Sequence, residues 1–125
     1  KVKFREWYRP FAPFCKKEDA HKYFESRNFD NLEYMSYAPR VKVDTLPSIT
    51  HVDGTARLQT VTEESHSHFY ELLTEFGKIS ETNVLLNTSF NIRGYPILST
   101  IKDALYALEN TEMDYVVIED YLFEL

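Results

Sequence analysis

A chain of 125 residues, 43% hydrophobic and 15% aromatic, carries enough apolar material for one core and is too short for two, so residues 1–125 are expected to form a single domain. Its formal net charge of −6 disfavours nucleic acid, whose backbone is gripped by clustered Lys and Arg. The single Cys15 excludes an internal disulfide, no apolar run nears the roughly 18 residues of a membrane span, and the start Lys-Val-Lys-Phe-Arg lacks the apolar stretch of a secretory leader; a cytoplasmic protein without a membrane partner is the expectation.

Residues 1–14 alternate basic and aromatic character and then meet Pro10 and Pro13, which predicts an extended segment ending in a rigid loop. Opening without Met on this charged stretch, the chain reads as a fragment of a larger protein. Ala20, Tyr23 and Phe24 at helical spacing, with Glu18 and Asp19 ahead of them, predict a short helix over 17–26. Residues 28–50 show no helical period; 34–38 and 40–43 read as strands or extended loop. Phe69, Leu72, Leu73 and Phe76 fall on one helical face and predict a helix over 63–76, begun by Thr60 with Glu63, or by Thr62, and stopped by Gly77. Val84–Leu86 is expected as a buried strand and Ile97–Leu98 as a second short one. Thr100 with Asp103 opens another helix that ends near Asn110, and strands follow over 115–118 and 121–123. Helices alternating with strands in the second half predict an α/β (α+β) fold with a mixed sheet.

Three polar clusters interrupt this scaffold. Lys3 and Arg5 in an extended segment project from one face about 7 Å apart, a spacing at which two cations can grip one polyanion; as residues near a chain end they also suit plain solvation. Arg57, between Ala56 and Leu58 after the turn at Gly54, faces either solvent or an inward anion, and the alternation alone does not choose. Ser89 and Asn91 follow a strand two residues apart, with Asn87 and Arg93 beside them. They place a hydroxyl and an amide where ligands gather at strand ends, or else they cap the strand as a turn. With no G-x-S-x-G elbow, Ser89 suggests hydrogen bonding and not nucleophilic attack. His66 and His68 diverge on a helix, and His51 with Asp53 lacks a third ligand, so no metal site is expected from protein side chains.

The stretches REWYRPFAP (5–13), LPSITHVDGTARLQTV (46–61) and NVLLNTSFNIRGYPI (83–97), followed by the ending DYVVIEDYLFEL, resemble the C-terminal domain of the nodulation-protein type O-carbamoyltransferases over nearly the whole chain. The resemblance implies a YrdC-like twisted mixed sheet with helices packed on it, joined in the whole enzyme to an N-terminal ASKHA-type half that transfers the carbamoyl group. It further implies the YrdC-type signature K-x-R with a distant S-x-N, matched by Lys3-Phe4-Arg5 and Ser89-Phe90-Asn91. The implied reaction turns carbamoyl phosphate and ATP, with Mg²⁺, into carbamoyl-adenylate. In that scheme Lys3, Arg5 and Arg57 contact phosphates and carbamoyl group, Ser89 and Asn91 the triphosphate and its Mg²⁺, and Arg9, Arg93 and Asn87 are further binding candidates. Tyr95 stands where many relatives would carry an acidic residue. The alternative is a non-catalytic nucleotide-binding or interface module of a larger protein.

Overall fold

The computed structural model describes Glu6 and residues 8–125, so the candidates Lys3 and Arg5 lie outside the described residues. The described chain divides into two compact units, one from Tyr8 to Thr88 and one from Ser89 to Leu125.

The first unit is built on a mixed three-stranded sheet in which β1 (Ala12–Lys16) is central, parallel to β4 (Gln59–Val61) and antiparallel to β5 (Val84–Asn87). Between β1 and β4 lie a short helix α1 (Ala20–Tyr23) and a two-stranded ribbon of β2 (Phe24–Glu25) and β3 (Arg40–Val41). The rigid loop expected at Pro13 is thus corrected: Pro13 sits inside the central strand. It is tolerated there because it pairs only with Leu86 of β5, the parallel ladder to β4 beginning one residue later at Phe14 opposite Gln59.

Register assigns the two faces of this sheet. Ala12, Phe14 and Lys16 share one face with Gln59, Val61, Leu85 and Asn87, while Pro13 and Cys15 share the other with Thr60 and Val84. The second face carries the larger core, where Cys15 and Val84 pack with Ala20, Phe24, Leu32, Ile49, Ala56 and Leu58. On the first face lies α2 (Ser67–Ile79), whose Leu73 is buried with Phe14 and Val61. Phe69 meets Phe14 edge-on with ring centroids 5.7 Å apart, and Lys16 Nζ lies 4.4 Å from the Tyr70 ring centre.

Helix α2 begins later than its expected start. Thr60 is buried in β4 and unavailable as a cap. Thr62 and Ser65 instead close a turn on each other: Thr62 N donates to Ser65 Oγ at 3.0 Å and Ser65 N to Thr62 Oγ1 at 3.2 Å. The helix also runs through Gly77 instead of stopping there, because the glycine serves close packing against Asn83 and not a left-handed cap. Residues 34–38 are not a strand. Leu32, fully buried, pulls the chain into a single 3₁₀ turn over Leu32–Tyr34 flanked by left-handed Asn31 (φ 62°) and Met35 (φ 55°).

In the second unit, α3 (Ile101–Asn110) starts as expected, with Thr100 Oγ1 accepting from Asp103 N at 3.1 Å. The antiparallel hairpin of β6 (Tyr115–Ile118) and β7 (Tyr121–Glu124) turns at left-handed Glu119 (φ 53°). Val116, Ile118 and Phe123 pack on Ala104 and Leu108 of α3. Ile97–Leu98 is not a strand: Leu98 N donates to Phe90 O at 2.9 Å and Tyr95 N to Ile92 O at 3.0 Å, closing a loop that leaves no ladder for it to join. The fold is α+β, with the strands among the described residues divided among one three-stranded and two two-stranded sheets.

Candidate functional site

Strand β5 ends on Asn87, and that amide does not stand alone. Asn87 Nδ2 donates to Gln59 Oε1, and Gln59 Nε2 donates to Glu33 O at 3.0 Å, so the two amides are oriented in series across the central strand. They form the polar rim of a cleft of about 600 Å³ whose remaining walls include Phe14, Val61, Phe69, Leu72 and Leu85. The cleft lies at the C-terminal end of β5, which in this antiparallel pairing is beside the N-terminal ends of β1 and β4. Gln59 was not visible as a candidate in the sequence. The one signal for it is a polar residue on the same strand parity as Arg57 and Val61, two positions after the former.

The turn that delivers Arg57 is built by its neighbours. Gly54 takes φ +79°, His51 N donates to Thr55 O at 2.7 Å and Gly54 N to His51 O at 2.9 Å. The Asp53 carboxylate accepts from the Thr55 hydroxyl at 2.7 Å and the Thr55 amide at 2.9 Å, and these bonds hold its pKa below the usual carboxylate range. Asp53 is therefore spent on the turn, and among the described residues no group of three His, Cys, Asp or Glu is arranged to hold a metal ion. Ala56 and Leu58 are fully buried, and Arg57 between them is exposed, with no hydrogen bond or ion pair to the other described residues. Of the two orientations open to Arg57, the structure shows the outward one.

In the second unit, Ser89 and Asn91 lie on a loop, and their side chains bond each other. Ser89 Oγ donates to Asn91 Oδ1 at 2.8 Å, and Asn91 Nδ2 donates to Tyr95 O at 3.0 Å and Ile92 O at 3.4 Å. Gly94, at φ +83°, makes the bend. The Ser89 hydroxyl is directed to the side-chain amide oxygen of Asn91. Arg9 and Arg93 are exposed, as are His66 and His68. Among the described residues, Asn87 and Arg57 belong to the first unit and Ser89, Asn91 and Arg93 to the second.

Comparison with known proteins matches residues 1–124 to the family described as carbamoyltransferase C-terminus. Nodulation protein NolO of Bradyrhizobium diazoefficiens is 41% identical over 97% of this chain and 23% of its own length. Nodulation protein NolNO of Sinorhizobium fredii is 39% identical over 98% of this chain and 19% of its own. The 3'-hydroxymethylcephem-O-carbamoyltransferase of Streptomyces clavuligerus is 38% identical over 95% of this chain and 23% of its own. The chain thus spans about a quarter or less of the length of these relatives.

Proposed function

This chain belongs to the carbamoyltransferase C-terminal family, and from that premise we propose that it is the nucleotide-handling part of a larger O-carbamoyltransferase. The observation that carries the reading is the family match across residues 1–124 together with similarity to a named cephem O-carbamoyltransferase. In the proposed reaction, water cleaves carbamoyl phosphate to carbamate and phosphate. Carbamate oxygen then attacks the α-phosphorus of ATP, forming carbamoyl-adenylate as the bond to pyrophosphate breaks. A transfer domain elsewhere in the protein, of the ASKHA type, would pass the carbamoyl group to a hydroxylated metabolite.

The chemistry asks for cations and oriented donors more than for covalent participation. Arg57, exposed and uncompensated by any described carboxylate, suits a phosphate or carbamate oxygen through its planar fork. Ser89 and Asn91, fixed on each other, suit the triphosphate side. In the absence of an acidic cluster among the described residues, Mg²⁺ would be carried mainly by phosphate oxygens and water, its usual manner with nucleotides. Lys3 and Arg5 complete the proposed set, with Arg9, Arg93 and Asn87 as supporting contacts.

Calorimetric titration of the full-length protein with Mg-ATP, with and without carbamoyl phosphate, tests this. Saturable binding that Asn91→Ala and Arg57→Ala each weaken is the expected result. Binding that survives both substitutions unchanged would remove these residues from the site and the proposal with them.

A further inference from the structure

Away from these residues, the first unit carries a shallow, open polar hollow on its surface that the carbamoyl reading does not use. It has a volume of about 600 Å³ and is lined by His21, Phe24, Glu25, Ser26, Arg27 and Lys42. An adjoining hollow of about 520 Å³ shares His21, Ser26 and Arg27 with it. In a chain of net charge −6, Arg27 and Lys42 meet the single carboxylate of Glu25 on this hollow, two cations to one anion.

Lys17 and Lys22 nearby are committed to carboxylates, and these two cations are not. Lys17 is paired with Asp30, and Lys22 with Asp19 at 2.6 Å. Arg27 has no hydrogen bond or ion pair with the other described residues, and the Lys42 ammonium donates only to a backbone carbonyl, His21 O, at 2.9 Å. Glu25 lines the hollow, and Glu18, on the adjoining side, accepts from the Tyr70 hydroxyl at 2.5 Å while keeping its charge.

The backbone that presents both cations is braced. The turn that presents Arg27 is held by Ser26 Oγ, which donates to Asn28 O at 2.5 Å and lies 2.6 Å from Tyr37 Oη; Tyr37 Oη also donates to Asn28 O. Asn28 Oδ1 in turn accepts from Asp30 N at 2.8 Å. Lys42 is held by its bond to His21 O and by its own amide, which donates to Tyr23 O at 2.8 Å. A backbone turn fixed before a ligand arrives loses less freedom on binding it.

We propose that this hollow is an anion site for a small phosphate-bearing molecule, gripped by the Arg27 fork and the Lys42 ammonium, with His21 and Ser26 at its edge. It is independent of the nucleotide reading and shares no residue with it.

The test is titration of the isotopically labelled chain with inorganic phosphate at constant ionic strength, followed by backbone amide resonances. Saturable shifts centred on Ser26, Arg27 and Lys42 are expected, with affinity falling roughly tenfold or more in the double variant Arg27→Ala, Lys42→Ala. Asn91→Ala should leave these shifts unchanged, which separates this site from the nucleotide one. Arg27→Lys, which keeps charge and loses the fork, should fall between. Absence of saturable shifts at these residues, or shifts that persist undiminished in the double variant while the rest of its spectrum is native, would overturn the proposal.

Discussion

Replacing Gly77 by alanine is expected to destabilise the protein, against the ordinary rule for a glycine inside a helix. Alanine normally gains about 1 kcal/mol there, because glycine loses more backbone entropy on folding. Here a Cβ would lie 2.2 Å from Asn83 Oδ1 and 2.7 Å from Asn83 Cγ, far inside contact distance. Asn83 cannot turn away without loss, since its Nδ2 donates to Asp19 Oδ2 at 3.0 Å. A hydrogen bond to an ionised carboxylate contributes about 1.5–3 kcal/mol, so the net change is a loss of roughly 0.5–2 kcal/mol. In an Asn83→Ala background the obstacle and the bond are both gone, and Gly77→Ala should then stabilise by about 1 kcal/mol. Urea unfolding of the four proteins of this cycle, followed by far-UV circular dichroism at pH 7, reads the coupling directly. Equal stabilisation by Gly77→Ala in both backgrounds would refute the packing argument.

The same contact has a pH signature. Burial pushes the Asp19 carboxyl up, but hydrogen bonds from Lys22 and Asn83 and the charges of Lys22 and Lys16 outweigh it and leave the pKa lowered. A carboxylate depressed in the folded state stabilises above its unfolded value and loses that contribution as pH falls through the folded one, so the cost of Asn83→Ala should be full at pH 7 and shrink below about pH 4. Thr100→Ala removes both the cap on Asp103 N and the 2.7 Å bond from Thr100 Oγ1 to Asp103 Oδ2; a loss of about 1 kcal/mol is expected, read as faster amide exchange in the first turn of α3. Cys15 is fully buried, and burial, assisted by the negative charges of Asp19 and Glu18, pushes its thiol up to about 12. It should therefore ignore a disulfide reagent at pH 8 until the chain unfolds, and rapid labelling of the native protein would contradict that placement.

Elements with strong local signals were legible in the sequence. Thr100 with Asp103 announced α3, the 115–118 and 121–123 runs announced the hairpin, and the four apolar positions expected for α2 fall within the helix, although only Leu73 is fully buried and Phe69 and Leu72 are half exposed. Where tertiary contacts overrule local chemistry, the sequence misled. Pro13 breaks most central strands and is accommodated here by a one-sided register. Gly77 resembles a helix stop until Asn83 is placed against it. Leu32 bends its segment because the core needs its side chain, which no periodicity reports. The amide pair of Gln59 and Asn87 was equally hidden, because it joins residues 28 positions apart through a register only the folded sheet defines.

The stretch 46–61 shows how fold requirements and function can be separated residue by residue. Ile49, Ala56, Leu58 and Val61 are buried; Gly54, Asp53 and Thr55 form the turn; Thr50 Oγ1 donates to Leu46 O at 2.8 Å; and Gln59 braces Asn87. Pro47, Ser48, Val52 and Arg57 are left exposed without such a side-chain task, and of the four only Arg57 is charged. If the guanidinium has no folding role, Arg57→Ala should change stability by no more than about 0.5 kcal/mol, as exposed substitutions do. The proposed phosphate or carbamate contact should in contrast cost about tenfold or more in ligand affinity when lost, and Arg57→Lys should restore only part, because it returns the charge without the bidentate fork. Parallel denaturation and Mg-ATP titrations with carbamoyl phosphate present separate the two roles. A stability loss that accounts for the whole binding defect would assign Arg57 to the fold and withdraw it from the site.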